Sequence, residues 1–191
     1  MRISGGEARG RKLKTPRGRR LRPTLSRVRE ALFDMLAPRL EGARFLDLFA
    51  GVGAVGLEAA SRGAAQVVLV EAAPRNARLV QENLEALGLA DRARVIRSAA
   101  RTALLALAER GECFHLVFMD PPYHRPEAIL AILELIAQAP ALLCPGGVVV
   151  AQHDFRLVLP EAVGACRQVR TRRFGDTSLT FYQLHGPQGG A

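Results

Sequence analysis

Residues 47–56 read DLFAGVGAVG, and Gly51, Gly53 and Gly56 within them match the pattern GxGxxG. Such glycines allow a tight turn between a strand and a helix, and they let a ligand approach the backbone closely. Glu71 closes the next predicted strand, twenty residues after Gly51. A carboxylate at this spacing accepts hydrogen bonds from ribose hydroxyls, so the segment predicts an α/β fold that binds a nucleoside.

Outward from this loop, apolar runs alternate with helical patterns along most of the chain. Such alternation predicts βαβ units and a Rossmann-like α/β fold with a mostly parallel, doubly wound sheet. Two further β-like runs flank Gly175-Asp176, which predicts a C-terminal antiparallel hairpin. The predicted strands are 44–49, 66–71, 93–97, 115–119, 147–152, 166–173 and 178–184, and the predicted helices are 54–62, 74–87, 102–110 and 126–138.

The organisation that we predict has three parts. Residues 1–38 form a basic extension with a small β-hairpin, a loop at Arg22-Pro23-Thr24 and a helix. Thr24 or Ser26 caps that helix, which runs to about Leu36. The main domain is predicted at 39–186 and a tail at 187–191.

Composition indicates a globular protein without a metal site or a membrane segment. The chain has 191 residues, 49% hydrophobic and 24% charged, which suits one soluble domain with a small appendage. We expect a cytoplasmic protein, because no secretory signal is visible and the apolar stretches are too short to span a bilayer. Cys113, Cys144 and Cys166 are widely spaced and the four histidines are scattered, so we predict neither a disulfide nor a metal site.

The net charge of +9 is concentrated at the N-terminus. Residues 1–30 hold eleven Lys and Arg against only Glu7 and Glu30, and the rest of the chain is balanced at sixteen bases and sixteen acids. A basic field of this kind attracts polyanions, which predicts a nucleic-acid partner. The alternative is a solvated basic tail.

A second group of chemically informative residues is Asp120-Pro121-Pro122-Tyr123, directly after the apolar run 116–119. Open α/β sheets bind ligands just outside the carboxyl ends of such strands. The prolines lack N–H groups, the ring of Tyr123 can stack, and the Asp120 carboxylate accepts hydrogens. The tetrapeptide therefore predicts a site for a planar group that carries an NH2, with a proline-rich turn as the alternative.

Two ligand classes compete for the glycine loop. A dinucleotide would place its pyrophosphate there, whereas S-adenosylmethionine has an ammonium and no phosphate. Asp47 stands four residues before Gly51, where a carboxylate repels pyrophosphate and attracts an ammonium. We therefore favour S-adenosylmethionine, and the alternative is a nicotinamide-dependent oxidoreductase.

Nearly the whole chain resembles the RsmD family of bacterial guanine-N2 methyltransferases, which act on small-subunit (16S) ribosomal RNA and are class I S-adenosylmethionine-dependent enzymes. DPPY with a glycine loop is typical of the broad amino-methylating class, and the N-terminal block is much more specific. The segments that carry the resemblance are MRISGG, ARGRKLKTP, RPT, RVREALFDML, DLFAGVGAVGLEAASRG, VEAAPRNARLVQENL, DPPY and GDTSLTFY.

The resemblance implies partners and site residues. The substrate would be ribosomal RNA, free or within the small subunit or its assembly intermediate, and the protein would be a monomer. Catalysis would depend on Asp120, Pro121, Pro122 and Tyr123. The cofactor would be bound by Asp47, Phe49, Ala50, Gly51, Gly53, Glu71, Ala72, Ser98 and Ala99. RNA would be bound by Arg9, Arg11, Lys12, Lys14, Arg17, Arg19, Arg20, Arg22 and Thr24.

The chain departs from the family pattern at three places. Ser98-Ala99 replaces the usual Gly-Asp, whose acid contacts the adenine amino group, so we expect backbone groups to hold the adenine here. Ser26 replaces Asp, and a helix cap stays available. Gln152-His153 replaces Glu-His, so we assign His153 no catalytic role.

Other functions stay open from the residues alone. Adenine N6 in DNA or RNA, and a protein glutamine, also present a planar NH2 to such a tetrapeptide. The basic segment argues against a protein substrate without separating the nucleic acids. A non-catalytic RNA-binding assembly factor is the remaining alternative, and the intact Gly51, Gly53, Glu71 and Asp120 argue against it.

Overall fold

A computed structural model describes residues 1–16, 24–122 and 127–185. The chain divides into two compact units, Met1–Ala100 and Arg101–Ala191. The boundary predicted at residue 38 lies within the first helix. The division into an RNA-binding extension, a main domain and a tail therefore stays a prediction about function. In the described part of the chain, no helix is long and apolar enough to cross a membrane.

The first unit is built from parallel strands and helices in alternation. Its strands β1, β2 and β3 lie in the order β3-β2-β1, and both neighbouring pairs are parallel. The middle strand is buried from Val67 to Val70, as expected for a strand covered on both faces. The elements are α1 (Thr24–Leu40), β1 (Arg44–Asp47), α2 (Ala54–Ser61), β2 (Gln66–Glu71), α3 (Pro74–Leu87) and β3 (Ala93–Arg97).

Helix α1 is longer than its sequence pattern predicts. It continues to Leu40 although Pro38 lies inside it. Pro38 stands in the last turn, where a missing N–H and the ring's clash affect only the end of the helix. Val28, Leu32 and Phe33 form part of its buried face.

The N-terminal residues 1–16 are part of the first unit and not a solvated tail. They fold back in a short antiparallel pairing, with a bridge between Arg2 and Lys12 and a hydrogen bond from Leu13 N to Met1 O (3.0 Å). Ile3, Ala8 and Leu13 are buried. The basic segment therefore contributes apolar surface to the core as well as charge.

A buried ionic network anchors this segment to the helices. Glu58 of α2 is fully buried and accepts hydrogen bonds from Arg29 Nε of α1 (2.6 Å) and from Arg62 Nε (2.9 Å). The backbone N–H and the hydroxyl of Ser4 donate to the same carboxylate. Removing one member of such a network leaves an uncompensated charge, which typically costs about 3–5 kcal/mol.

The second unit contains a parallel strand pair followed by antiparallel strands. Its strands lie in the order β4-β5-β8-β7-β6; the β4–β5 pair is parallel and the three following pairs are antiparallel. The predicted C-terminal hairpin is confirmed, with Gly175 at φ 61 in its turn. The elements are α4 (Ala100–Glu109), β4 (Phe114–Met119), α5 (Glu127–Gln138), a 3-10 turn (Pro140–Leu142), β5 (Leu143–Asp154), β6 (Ala162–Val163), β7 (Cys166–Phe174) and β8 (Thr177–Leu184).

Two cysteines that are thirty-one residues apart in sequence meet in this unit. The Sγ atom of Cys113, just before β4, lies against that of Cys144, in β5, and both cysteines are free. The third, Cys166, is buried against Leu133 O, and burial raises the pKa of its thiol to about 11. Sequence spacing contains no sign of this pairing, because the register of β4 and β5 creates it.

Candidate active site

The glycine loop between β1 and α2 has the conformation that its sequence predicts. Gly51 and Gly53 have φ of 59° and 82°, in the left-handed region that favours glycine. A Cβ on Gly56 would lie 2.6 Å from Leu69 Cδ2, so the third glycine allows α2 to pack closely on β2. The three glycines thus provide the turn, the open approach and the close packing expected of this motif.

Glu71, at the carboxyl end of β2, contacts this loop directly. Its Oε2 accepts a hydrogen bond from Gly51 N (2.8 Å), and its Oε1 accepts one from Ala73 N (2.7 Å). Each carboxylate oxygen has a further lone pair. Half-buried Glu71 can therefore hold the loop and still accept hydrogens from a ribose diol.

The neighbouring backbone has room for a ligand. A Cβ added to Gly51 would meet no atom within 4 Å, so the loop faces open space there. Ala50 N donates to Val70 O (2.9 Å), and Ser98 N donates to Glu71 O (3.2 Å), which brings the carboxyl ends of β1, β2 and β3 together. The residues of this cluster fit an adenosyl cofactor. The predicted cofactor residues stand in these strand ends, in the loop or next to them in sequence, and their contact with a cofactor stays a prediction: Asp47, Phe49, Ala50, Gly51, Gly53, Glu71, Ala72, Ser98 and Ala99.

Asp47 has a role that the sequence does not suggest. It is 1% exposed, and its Oδ2 accepts a hydrogen bond from Gly56 N (3.0 Å) in the first turn of α2. The N-cap residue of α2 is Gly53, which has no side chain to cap the helix. Asp47 thus performs from β1 the capping that a side chain at the N-cap usually performs. Its contact with a ligand ammonium stays a prediction.

Asp120 follows β4 and is bonded to the next parallel strand. Its Oδ2 accepts a hydrogen bond from Gln152 Nε2 of β5 (3.0 Å). Burial raises the pKa of Asp120 to about 7, and the hydrogen bond from Gln152 opposes this effect. Pro121 is buried and Pro122 is exposed, whereas Tyr123 lies outside the described residues. A carboxyl group with a pKa near neutrality can exchange a proton under ordinary conditions.

A cavity of about 340 Å³ adjoins this motif within the second unit. At its wall, Arg156 donates to Asp154 through Nε (2.9 Å) and through a terminal nitrogen (2.7 Å). These bonds hold the pKa of Asp154 below its usual range. The sequence singles out neither residue. The lining residues are Pro121, Pro122, Ile129, Gln152, His153, Asp154, Arg156 and Leu157.

His153 is engaged in structural hydrogen bonds. Its Nδ1 lies 2.9 Å from Asp154 O and its Nε2 lies 2.8 Å from Thr180 Oγ1. A carbonyl only accepts hydrogen bonds, so Nδ1 carries the proton and Nε2 accepts from the threonine hydroxyl. Burial lowers the pKa of His153, which favours this neutral form. That His153 has no catalytic role stays a prediction.

Comparison with known proteins gives the family. The chain matches the family described as "Conserved hypothetical protein 95" over residues 1–183.

The chain belongs to this family.

Relatives of this chain include proteins that are named as rRNA methyltransferases. YlbH of Bacillus subtilis (strain 168), named as a candidate rRNA methyltransferase, is 39% identical over 186 residues, which cover 97% of this chain and 100% of YlbH. Ribosomal RNA small subunit methyltransferase D of Escherichia coli (strain K12) is 47% identical over 125 residues, which cover 65% of this chain and 61% of that protein. The resemblance to the RsmD family is confirmed.

A solved structure confirms the fold. The protein yhhF from Escherichia coli, described as a candidate methyltransferase, superposes with a TM-score of 0.84 at 37% identity. The match covers 97% of this chain and 98% of that one. The predicted α/β methyltransferase fold, mostly parallel with an antiparallel C-terminal strand group, is thus confirmed.

The N-terminal block of this family member uses part of its charge for packing. Arg11 donates to Leu87 O (2.9 Å) and to Ala86 O, at the end of α3, where cations stabilise the helix dipole. Lys14 Nζ pairs with Glu82 (2.9 Å). Arg9 and Lys12 are exposed. The predicted RNA contacts at Arg17, Arg19, Arg20 and Arg22, and the side chain of Thr24, lie outside the described residues.

Asn83 of α3, which the sequence does not single out, joins the N-terminal segment to the glycine loop. Its Oδ1 accepts a hydrogen bond from Lys14 N (2.7 Å), and its Nδ2 donates to Lys14 O (3.1 Å) and Val52 O (3.1 Å). Val52 stands between the first two glycines of the loop. One buried amide thus contacts both segments.

Proposed function

We propose that this protein transfers a methyl group from S-adenosylmethionine to the exocyclic N2 amine of a guanine in small-subunit ribosomal RNA. The observation that carries the proposal is the Asp120 carboxyl group at the end of β4, hydrogen-bonded to Gln152 beside a cavity of about 340 Å³. The rRNA substrate is supported by the 47% identity to ribosomal RNA small subunit methyltransferase D.

The first unit would bind the cofactor, which supplies an electrophilic methyl group on a sulfonium. Glu71 would accept hydrogen bonds from the ribose hydroxyls through the lone pairs that Gly51 and Ala73 leave available. The open approach at Gly51 would admit the ligand. Because Ser98-Ala99 supplies no acid, backbone groups there would hold the adenine.

The cavity beside Asp120 would receive the target base. A base inside a duplex cannot reach such a site, so it must be unpaired or flipped out, which costs a few kcal/mol. Gln152 donates its Nε2 hydrogen to Asp120, which leaves its Oε1 as an acceptor. Guanine has an N1–H beside its N2 amine and adenine has none, so this acceptor favours guanine N2 over adenine N6.

Asp120 would act on the amine itself. An aryl amine is a weak nucleophile because its lone pair is delocalised into the ring. If Asp120 and the Pro121 carbonyl accept the two N–H hydrogens, the lone pair is localised toward the methyl group. As the nitrogen–carbon bond forms and the carbon–sulfur bond breaks, the amine proton becomes acidic and passes to Asp120 or to water. Tyr123 would stack on the base.

The test is methyl transfer from radiolabelled S-adenosylmethionine to an unmodified 16S transcript, followed by nucleoside analysis. We expect N2-methylguanosine from the wild-type protein and a loss of at least about a hundredfold in rate with Asp120→Ala. Asp91→Ala, which removes an exposed acid after α3, is the matched control. Product at adenine N6, or product from DNA but not RNA, would contradict the proposal.

A second arm separates the possible forms of the substrate. The same assay with small subunits, naked RNA, DNA and protein shows which of them accepts the methyl group. Calorimetric titration with S-adenosylmethionine tests the non-catalytic alternative, because an assembly factor with a decayed site would bind no cofactor.

A further inference from the structure

Strand β7 carries a concentration of positive charge that the balanced total outside the N-terminus conceals. Residues 101–191 contain eight arginines and eight acids, so the second unit is neutral as a whole. Half of those arginines lie in the nine residues of β7, which has no acid. They are Arg167, Arg170, Arg172 and Arg173.

A β-bulge aligns three of these arginines on one face of the sheet. Arg167 and Arg170 are three residues apart, and in a regular strand that spacing would place them on opposite faces. The register shift between Gln168 and Arg170 adds one residue and restores the phase. The partners in β8 are alternate residues of one face: Gln183 for Arg167, Phe181 for Arg170 and Leu179 for Arg172.

All four arginines are exposed. None of the four pairs with a carboxylate among the residues that the structure describes, and Arg167 and Arg173 donate only to the carbonyls of Gly164 and Gly175. Arg170 and Arg172 are two positions apart on the same face, so their charges repel each other. An anion placed along this face would relieve that repulsion.

Arg173, which follows the row on the opposite face of β7, extends the positive charge toward the cavity. The hairpin turn that follows β7 lies at the carboxyl end of β5, because Asp154 pairs with Thr177. The Arg173 guanidinium lies 3.6 Å from the centre of the Phe155 ring, and that of Arg156 lies 6.0 Å from it. Since Arg156 also lines the cavity, cationic groups continue from β7 to the cavity wall.

We propose that the exposed face of β7 is a second RNA-binding surface, which holds the phosphate backbone that flanks the target nucleotide. This inference rests on the proposed function, because it takes RNA as the substrate. The partners of Arg167 and Arg172 are four residues apart in β8, so at about 3.3 Å per residue the row is about 13 Å long, which is enough for two successive phosphates. Arginine suits this role, since its guanidinium binds phosphate oxygens in a bidentate manner.

The test compares two double variants of the full-length protein with equal changes in charge. Arg170→Glu with Arg172→Glu reverses the row, and Arg78→Glu with Arg110→Glu reverses exposed arginines on α3 and after α4. With the unmodified 16S transcript, we expect the β7 variant to bind at least about tenfold more weakly. The slope of log affinity against log salt concentration should be smaller in magnitude by roughly 1.5, as expected when two phosphate contacts are lost.

Other readouts separate RNA binding from a structural role. Charged side chains on an outer strand also prevent edge-to-edge association, and glutamate serves that purpose as well as arginine. A purely protective role therefore leaves RNA affinity unchanged in the β7 variant, which would overturn the inference. In the variant with Arg170→Glu and Arg172→Glu, we expect KM for RNA to rise about tenfold, with kcat and cofactor affinity unchanged. Arg170→Lys with Arg172→Lys keeps the charge and should retain most of the salt dependence of RNA binding.

The two proposals fail in different ways. If the wild-type protein transfers no methyl group to RNA, the proposed function fails, whatever β7 does. If the wild-type protein methylates RNA and the β7 variant binds it as tightly as the α3 and α4 control, only the second surface is disproved.

Discussion

Gln152 Nε2 lies 3.0 Å from Asp120 Oδ2, and this hydrogen bond joins the ends of the parallel strands β4 and β5. It opposes the effect of burial on the Asp120 carboxyl group, whose pKa is raised to about 7. The bond therefore connects the stability of the second unit with the protonation state of its most reactive acid.

We expect Asp120→Asn to stabilise the protein at about pH 8. The pKa of Asp120 is about 7 in the folded protein and near 3.8 when unfolded, so folding favours the protonated form. Stability contributed by this group is highest in acid and falls as the pH rises to about 7. The full pKa difference corresponds to at most roughly 4 kcal/mol, and we expect a gain of about 1–3 kcal/mol. Urea denaturation should show this gain shrinking at about pH 5, and an equal gain at both pH values would be evidence against a buried charge.

The rate of methyl transfer should depend on the same ionisation. Asp120 accepts amine hydrogens best as a carboxylate, so we expect kcat/KM to rise with pH and to level off above an apparent pKa of about 7. Gln152→Leu removes the hydrogen bond that lowers this pKa, and the rise should therefore shift to higher pH. Gln183→Leu, a glutamine of β8 distant in sequence from the motif, is the control. If the apparent pKa of the kcat/KM profile is unchanged in Gln152→Leu, a group other than Asp120 controls the rate.

Glu71→Gln should weaken cofactor binding by about tenfold or more. The amide has only one acceptor oxygen, whereas both oxygens of Glu71 accept backbone hydrogens at Gly51 and Ala73. One of these N–H groups would lose its partner, and a charge-assisted bond to the ribose would also be lost, which is worth about 1.5–3 kcal/mol. Calorimetry with S-adenosylmethionine measures the change. Glu85→Gln on α3 should bind normally, and wild-type affinity in the Glu71 variant would exclude it from the ribose site.

Asn83→Asp should loosen the glycine loop while it preserves one bond to the N-terminal segment. Aspartate still accepts a hydrogen bond from Lys14 N, but it cannot donate to Lys14 O or Val52 O. We expect weaker S-adenosylmethionine binding, and faster amide exchange at Val52 than at the protected core strands. Gln81→Asp, exposed on the same helix, is the matched control. If cofactor affinity and exchange both stay at wild-type values, Asn83 only fills space.

Local patterns in the sequence were sufficient for the order of the elements and for half of the site. Gln66–Glu71, Pro74–Leu87 and Ala93–Arg97 have the predicted bounds, because apolar periodicity, Pro74 and Gly88 act within a few residues. The glycine loop and Glu71 were recognisable for the same reason: glycine conformations and strand-end spacing are properties of short segments.

Tertiary structure decided which side chains meet across long stretches of chain. Asp47 caps α2, and Asn83 accepts a hydrogen bond from Lys14 N. Glu58 accepts hydrogen bonds from Arg29 and Ser4, and Asp120 accepts one from Gln152. The two-residue strand β6 and the bulge that aligns the arginines of β7 also escaped prediction. These features depend on strand register and helix packing, and a shift of one residue would move each side chain to another face. The sequence alone therefore determined the fold, its turns and its helix ends, and only the tertiary structure determined the contacts that orient the site.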